Sequence, residues 1–341
     1  MNDEVAGTEG GNGMTNTLTV LESRKSYSER RLNQFREKVE AIEALKGLPN
    51  LCIYVTGSYG RLEASPYSDL DLFFIHQGSS LSNRVPRIQK TLLDADLIRL
   101  ARELSFPDFS RDGEYLAVHY IDDMREKLGS PEDDFNNFFT ARLLLLLESR
   151  SIYNEAVYRD LLGNVVSSYY RDYHDHETTF RPVFLINDII RFWRTLCLNY
   201  EHRRNRPSAD KAEKNKNHLI NLKLKFSRLL TCFSAIALLS RNRDIVTPTK
   251  LVDIVRLAPL DRLSRIAEMV PPSADLVRQL QNEYAWFLES TNRSRKEVLE
   301  WIGDRKTRDE AFAKGRAFQD RVYALLEGIT VGTDTMRFLV V

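Results

Sequence analysis

Two short apolar runs separated by a glycine turn set the tightest limit on what this chain can fold into. Leu51–Thr56 and Leu70–Ile75 are rich in β-branched, aromatic and leucine side chains. The first ends at Gly57-Ser58-Tyr59-Gly60; the second is entered through Ser68-Asp69 and left through Gln77-Gly78. Runs of this length bounded by turn residues read as buried strands. A third strand is expected over Glu114–Tyr120. Elsewhere the apolar spacing is helical. Tyr27, Leu32, Phe35, Val39, Ile42 and Leu45 predict an amphipathic helix over 22–46, stopped by Gly47, Pro49 and Asn50. Residues 83–105 predict another. Phe138–Glu148 is apolar nearly all round, which marks a buried helix. Further helices are expected over 155–172, 181–204, 216–240, 274–290 and 305–328. Residues 1–18, rich in Gly, Asn and Thr without periodicity, are expected to form a disordered tail. Phe338–Val341 is expected to add a strand or dock on the core. The expected fold class is α+β. A small mixed β-sheet domain with flanking helices covers 19–150, and an all-α helical domain covers 151–341.

Composition removes several function classes. A formal net charge of +1 over 341 residues provides no global field for nucleic acid or anionic membrane. Any polyanion site must be a local patch, and no DNA partner is expected. The longest apolar runs, such as Leu143–Leu147, are too short to span a bilayer. The N-terminus lacks the basic start and apolar centre of a signal peptide. Cys52, Cys197 and Cys232 are far apart and odd in number, so neither a zinc site nor a disulfide framework is expected. Buried free thiols in a cytoplasmic protein are the simple reading.

The chemistry is concentrated between the first two strands. Side chains alternate along a strand, so Asp69 and Asp71 share a face. Two carboxylates there repel one another and lose solvation, a conflict that a divalent cation removes. Oxygen ligands favour Mg²⁺ or Mn²⁺ over zinc. Asp-x-Asp alone is a weak signal, since such acids can cap a turn or sit on a solvated face. Here Leu70, Leu72, Phe73, Phe74 and Ile75 surround the pair with buried positions. Gly57 lets the backbone approach a ligand closely, and a polar turn offers N–H groups to phosphate. Ser58 adds a hydroxyl. Arg61 is a candidate for holding phosphate, and Ser68 is a further nucleotide-binding candidate.

Gly57-Ser58, ten intervening residues and Asp69-x-Asp71 with apolar flanks resemble the signature of the polymerase β-like nucleotidyltransferase superfamily. Within it, residues 57–72 look most like the N-terminal domain of PII-protein uridylyltransferases and glutamine synthetase adenylyltransferases. Residues 140–150, Thr-Ala-Arg-Leu-Leu-Leu-Leu-Leu-Glu-Ser-Arg, are similar to a helical element of the uridylyltransferases. The resemblance covers roughly residues 50–155. It implies that Asp69 and Asp71 bind metal and that Gly57 and Ser58 bind the triphosphate. It also implies transfer of a nucleoside monophosphate from a triphosphate to an acceptor, with release of pyrophosphate. The uridylyltransferases more often have Gly-Gly at the position of Gly57-Ser58. They are also far longer, and this chain has neither a paired His-Asp motif nor an evident sensing tail. The expected acceptor is a protein, with an RNA 3′ end or a small molecule as the alternative. A non-catalytic regulator that binds a nucleotide and a partner is the alternative of another class; retention of both aspartates argues against it.

A third carboxylate is expected on a neighbouring strand. Spacing to His119 in the family comparison favours Asp112, and placement at a strand start favours Glu114; both stay candidates. His119 itself reads more simply as a satisfied strand histidine than as a base, because a two-metal mechanism needs none. Asp122, Asp123, Asp133 and Asp134 read as first-turn helix acids. Asn187-Asp188 is a weak candidate for the cleft. The basic stretch from His202 to Arg228 reads as a solvated surface, with a polyanion site as its alternative.

Overall fold

The computed structural model describes residues 10–109, 116–207, 210–241 and 245–332. Its sheet has four strands: β1 (Leu51–Thr56), β2 (Asp71–His76), β3 (Val118–Tyr120) and β4 (Arg150–Tyr153). Their spatial order is β3-β2-β1-β4; β2 and β3 are parallel and the other pairs antiparallel. The fold is therefore mixed α/β, with a small mixed sheet and a large majority of helix.

Alternation along β1 and β2 divides the molecule into two cores. Opposite partners are Cys52 with Ile75, Tyr54 with Phe73, Ile53 with Phe74 and Val55 with Leu72. Cys52, Tyr54, Phe73 and Ile75 face the larger core. Leu51, Ile53, Val55, Leu72 and Phe74 face a smaller one, with Leu32, Phe35 and Val39 of helix α1 (Gly10–Val39). Leu45 of α2 (Glu43–Lys46) and Leu93, Leu97 and Leu100 of α4 (Arg87–Glu103) also line that second core. A central strand covered on both faces can be apolar throughout, and all of β1 is buried. Fully burying each such side chain is worth about 1.5–3 kcal/mol, so the two cores hold the sheet from opposite sides.

The helices after β3 pack mainly into the larger core. They begin with α5 (Ile121–Glu126), α6 (Pro131–Phe135), α7 (Phe138–Glu148) and α8 (Glu155–Ser168). Then follow α9 (Val183–Arg204), α10 (Lys211–Lys223), α11 (Leu229–Arg241), α12 (Pro248–Arg256) and α13 (Pro259–Met269). The last are α14 (Ala274–Ser290), α15 (Arg295–Gly303) and α16 (Arg305–Thr330). Helix α11 is buried along almost its whole length and packs against α7, α9, α13 and α16. Helices α12 and α13 start with Pro248 and Pro259 at their first positions, where a missing N–H costs nothing.

Several expectations need correction. Residues 10–18, expected as part of a tail, belong to α1, because extending an existing helix is far easier than nucleating one. The strand β4 lies beyond the expected boundary at 150 and closes one edge of the sheet. Its outer side is capped by Arg36, whose Nε donates to the Ser151 carbonyl at 2.9 Å. The larger core also runs without a break from the sheet into the helices on both sides of that boundary. The helix expected over 216–240 begins at Lys211 and passes through one π-helical turn, Leu224–Arg228. Residues 338–341 lie outside the described residues.

Candidate active site

Strand β1 ends at Thr56, and the chain turns at Gly57 with φ +66°, a left-handed value that strains any other residue. Space imposes the same requirement. A Cβ on Gly57 would lie 2.4 Å from Asp71 Oδ2. The register explains the closeness: Thr56 is paired with Asp71, so the strand's first carboxylate lies beside the turn. A short helical turn, α3 (Gly57–Gly60), follows. Its Gly60 is pressed onto the end of α7, where a Cβ would meet the Glu148 carbonyl oxygen at 1.8 Å. Both glycines are therefore fixed by close approach, one to Asp71 and the other to the α7 backbone.

Asp71 shares its strand face with Phe73 and Ile75, so it points towards the helical side. Burial pushes its carboxyl up to about 6, and Asp69 and Glu148 push in the same direction while Arg228 and Arg61 oppose them. The Asp69 contribution means that the two aspartates sense one another, although β2 begins at Asp71 and Asp69 precedes it. Both keep partial solvent contact.

Three charged side chains from distant segments meet this pair. Glu148, the last residue of α7, is buried, and its Oε1 accepts from the Gly57 N–H at 3.3 Å and from Arg228 Nη1 at 2.6 Å. Its Oε2 accepts from Arg61 Nη1 at 2.6 Å and from the Thr231 hydroxyl at 3.3 Å. Burial by itself would raise the Glu148 carboxyl, but Arg228 and Arg61 outweigh it and hold the group down at about 2. Lys223 and Arg228 bracket the π-helical turn. Lys223 is exposed to solvent. Desolvation depresses its ammonium, Asp69 opposes that, and Arg228 and Arg61 add to the depression.

The remaining sequence candidates fall in different places. Arg61, expected to hold phosphate, is buried instead; its guanidinium grips Glu63 (Nε to Oε1, 2.7 Å) and Glu148. A guanidinium saturated by two carboxylates serves as a structural tie. Tyr284 of α14 donates its hydroxyl to the other oxygen of Glu63 and extends the tie into the helical part. Ser58 stays partly exposed on the turn, and its carbonyl accepts from the Glu63 N–H at 2.9 Å. Ser68 accepts from the Ser65 N–H at 3.0 Å through Oγ, closing the loop that delivers Asp69. Asp112 and Glu114 lie outside the described residues. His119 packs between Phe73 and Phe138, at ring separations of 6.4 and 6.0 Å, and burial lowers its pKa to about 4. Asp188 sits in a separate buried cluster, accepting from the Tyr169 hydroxyl at 2.8 Å with Arg142 3.7 Å away. Asp133 belongs to the same cluster, paired with Arg142 at 2.7 Å. The described cysteines are free, with Cys52 and Cys232 buried.

The sequence reading does not single out Glu148 within residues 140–150, and it includes Lys223 and Arg228 only within the basic stretch whose alternative is a polyanion site. The one available signal was Glu148 itself, an acid ending a helix otherwise buried nearly all round, since a buried carboxylate requires partners. Nothing local distinguishes Arg228 or Lys223 from the other cations between 202 and 228. A π-helical turn does mark the place, a feature common near functional sites, but it is visible only in three dimensions.

No protein-family model matches this chain, and no curated protein matches it significantly. Among the described residues, no group of three or more His, Cys, Asp or Glu side chains is arranged to hold a metal ion. Asp69 and Asp71 carry oxygen donors of the kind that hard divalent cations prefer, and burial first, then Asp69, raises the proton affinity of Asp71. No helix among the described residues is long and apolar enough to cross a membrane.

Proposed function

We propose that this protein is a metal-dependent nucleotidyltransferase that moves a nucleoside monophosphate from a triphosphate to an acceptor. The observation that carries the proposal is a positive-φ glycine packed against Asp71, with Asp69, Arg228 and Lys223 close enough to bias one another's charge. Asp69 and Asp71 would hold Mg²⁺ or Mn²⁺, which when bound supplies charge neutralisation for a polyphosphate. Lys223 and Arg228 would add positive charge near the aspartates, suited to a highly anionic ligand. Gly57 and Ser58 shape the floor against which the phosphates rest. The acceptor oxygen attacks the α-phosphorus, a new P–O bond forms, and the bond to the β-phosphate oxygen breaks to release pyrophosphate. Catalysis of this kind is mostly positioning and charge stabilisation.

A protein acceptor is the reading favoured by the resemblance of residues 57–72 and 140–150. An RNA acceptor is the second reading. The exposed cations Arg204, Arg206, Lys211 and Lys214, at the facing ends of α9 and α10, favour it. The test is a screen of the four α-labelled nucleoside triphosphates, with Mg²⁺ or Mn²⁺, against cell lysate and tRNA in parallel. Label in a protein band supports the first reading and label in tRNA the second. The D69N/D71N double variant should fold and transfer nothing. Full transfer by that variant would overturn the assignment.

A further inference from the structure

Arg262 of α13 is a buried charge whose grip holds no opposite charge. The side chain is wholly buried. Its acceptors among the described residues are three backbone carbonyls: Leu147 at 2.7 Å and Val255 at 3.3 Å through Nη2, and Thr231 at 3.2 Å through Nη1. Its Nε has no hydrogen-bond partner among the described residues. A cation at this depth needs compensation for the water it has lost. Leu147 and Val255 lie in the last turns of α7 and α12, where carbonyls lack partners within the helix and the helix end carries partial negative charge. Capping two helices at once accounts for the burial of Arg262.

The residue that follows Leu147 gives one of these caps a consequence. Glu148 Oε1 accepts from the Gly57 N–H at 3.3 Å, and the Glu148 carbonyl is the surface on which Gly60 rests. Both ends of the glycine turn therefore lie on the end of α7. Thr231, whose carbonyl takes the other arm of Arg262, places its hydroxyl 3.3 Å from Glu148 Oε2. The guanidinium fork thus holds the main chain of α7 through Nη2 and of α11 through Nη1, the two helices that supply the Glu148 carboxylate and one of its donors. A planar fork fixes both distances together, which a single ammonium cannot do.

We infer that Arg262 is a positioning residue for the glycine turn: by fixing Leu147 and Thr231 it sets the Glu148 carboxylate, and through Glu148 the Gly57 N–H and the seat of Gly60. The consequence drawn from it, that a phosphate chain is seated on the turn, rests on the nucleotidyltransferase reading. Arg262 touches no substrate; it acts through the end of α7.

The test reads the turn directly. Thr56-Gly57 is the one Thr-Gly pair in the sequence, so carbonyl-¹³C threonine with ¹⁵N glycine isolates the Gly57 amide in the whole chain. The second readout is the affinity for inorganic tripolyphosphate with Mg²⁺, by calorimetry, and urea unfolding checks each fold. R262K keeps the charge but ends in one nitrogen. It should move the Gly57 amide signal and weaken tripolyphosphate about tenfold, the scale of a displaced binding group. R262Q is the second arm, in case a lysine there prevents folding; it donates to one carbonyl without burying a charge and should act in the same direction. R142K is the control for loss of a buried arginine. Arg142 lies in the same helix but grips Asp133 at 2.8 Å and Tyr169 at 2.9 Å. It should lose stability yet leave the Gly57 signal in place and the affinity within about threefold of wild type. A folded R262K or R262Q with the wild-type Gly57 signal, or with wild-type affinity, would overturn the inference. So would an R142K that changes both readouts as much as R262K, because any weakening of α7 would then suffice. Failure of the functional reading looks different: wild type itself would not bind tripolyphosphate, while R262K would still move the Gly57 amide.

Discussion

Replacing Asp71 with Asn should make the metal-free protein more stable at neutral pH, by an amount that depends on pH in a defined way. Folding raises the Asp71 carboxyl from an ordinary 3.8 to about 6, with burial as the main cause and Asp69 next. Below about pH 4 the group is protonated in both states and contributes nothing. As pH rises from about 4 to 6 the unfolded chain gives up its proton first, which favours unfolding. Above about 6 the full cost of the buried charge is present. A separation of about two units corresponds to about 3 kcal/mol, and the partial solvent contact of Asp71 discounts it to about 2 kcal/mol. Asn removes the charge at nearly constant shape. The assay is urea unfolding of wild type and D71N in EDTA, at several pH values from 4.5 to 8. Other titrating groups, Glu148 among them, cancel in the difference between the two proteins. The expected result is a gap of about 2 kcal/mol in favour of D71N above about pH 6.5 that narrows as pH falls towards 4.5. Added Mn²⁺ should close the gap from the wild-type side only. A gap independent of pH, or a D71N protein that loses stability relative to wild type as pH rises, would refute the reasoning.

Other consequences follow from the same geometry. The Glu148 carboxyl is held down at about 2 against an ordinary 4.5, so its stabilisation is complete above about pH 4.5 and is lost as pH falls towards 2. Wild type should therefore show a steeper acid unfolding limb in this range than E148Q, and equal limbs would contradict the buried pairing. Gly57→Ala meets both a positive φ and the Asp71 oxygen. It should cost about 1–3 kcal/mol in urea unfolding and abolish nucleotide transfer, and a fully active variant would disprove the tight fit. His119 is lowered to about 4 by burial and lies between two phenylalanines. It is uncharged at pH 7, and H119F should keep transfer within about threefold. A loss of about a hundredfold with an intact fold would give the imidazole a chemical role.

The sequence by itself determined the parts whose cause is local. The short apolar runs Leu51–Thr56 and Leu70–Ile75, bounded by turn residues, read as buried strands because a strand covered on both faces needs apolar side chains in both directions. Gly57 is legible as a turn, since few residues but glycine tolerate its backbone angle. The unbroken apolar character of Phe138–Glu148 dictates a helix buried on every side. Tertiary structure decided which of these segments meet, and there local pattern carries no information. Glu148 reaches Gly57 across 91 positions and Arg228 across 80, separations that hydrophobic periodicity cannot encode. Arg61 has the chemistry to hold phosphate, yet Glu63, two positions on, and Glu148, brought in at the end of α7, take its guanidinium first. A charged side chain takes whichever partner the assembled fold leaves within reach, and that choice is made only once distant helices have packed.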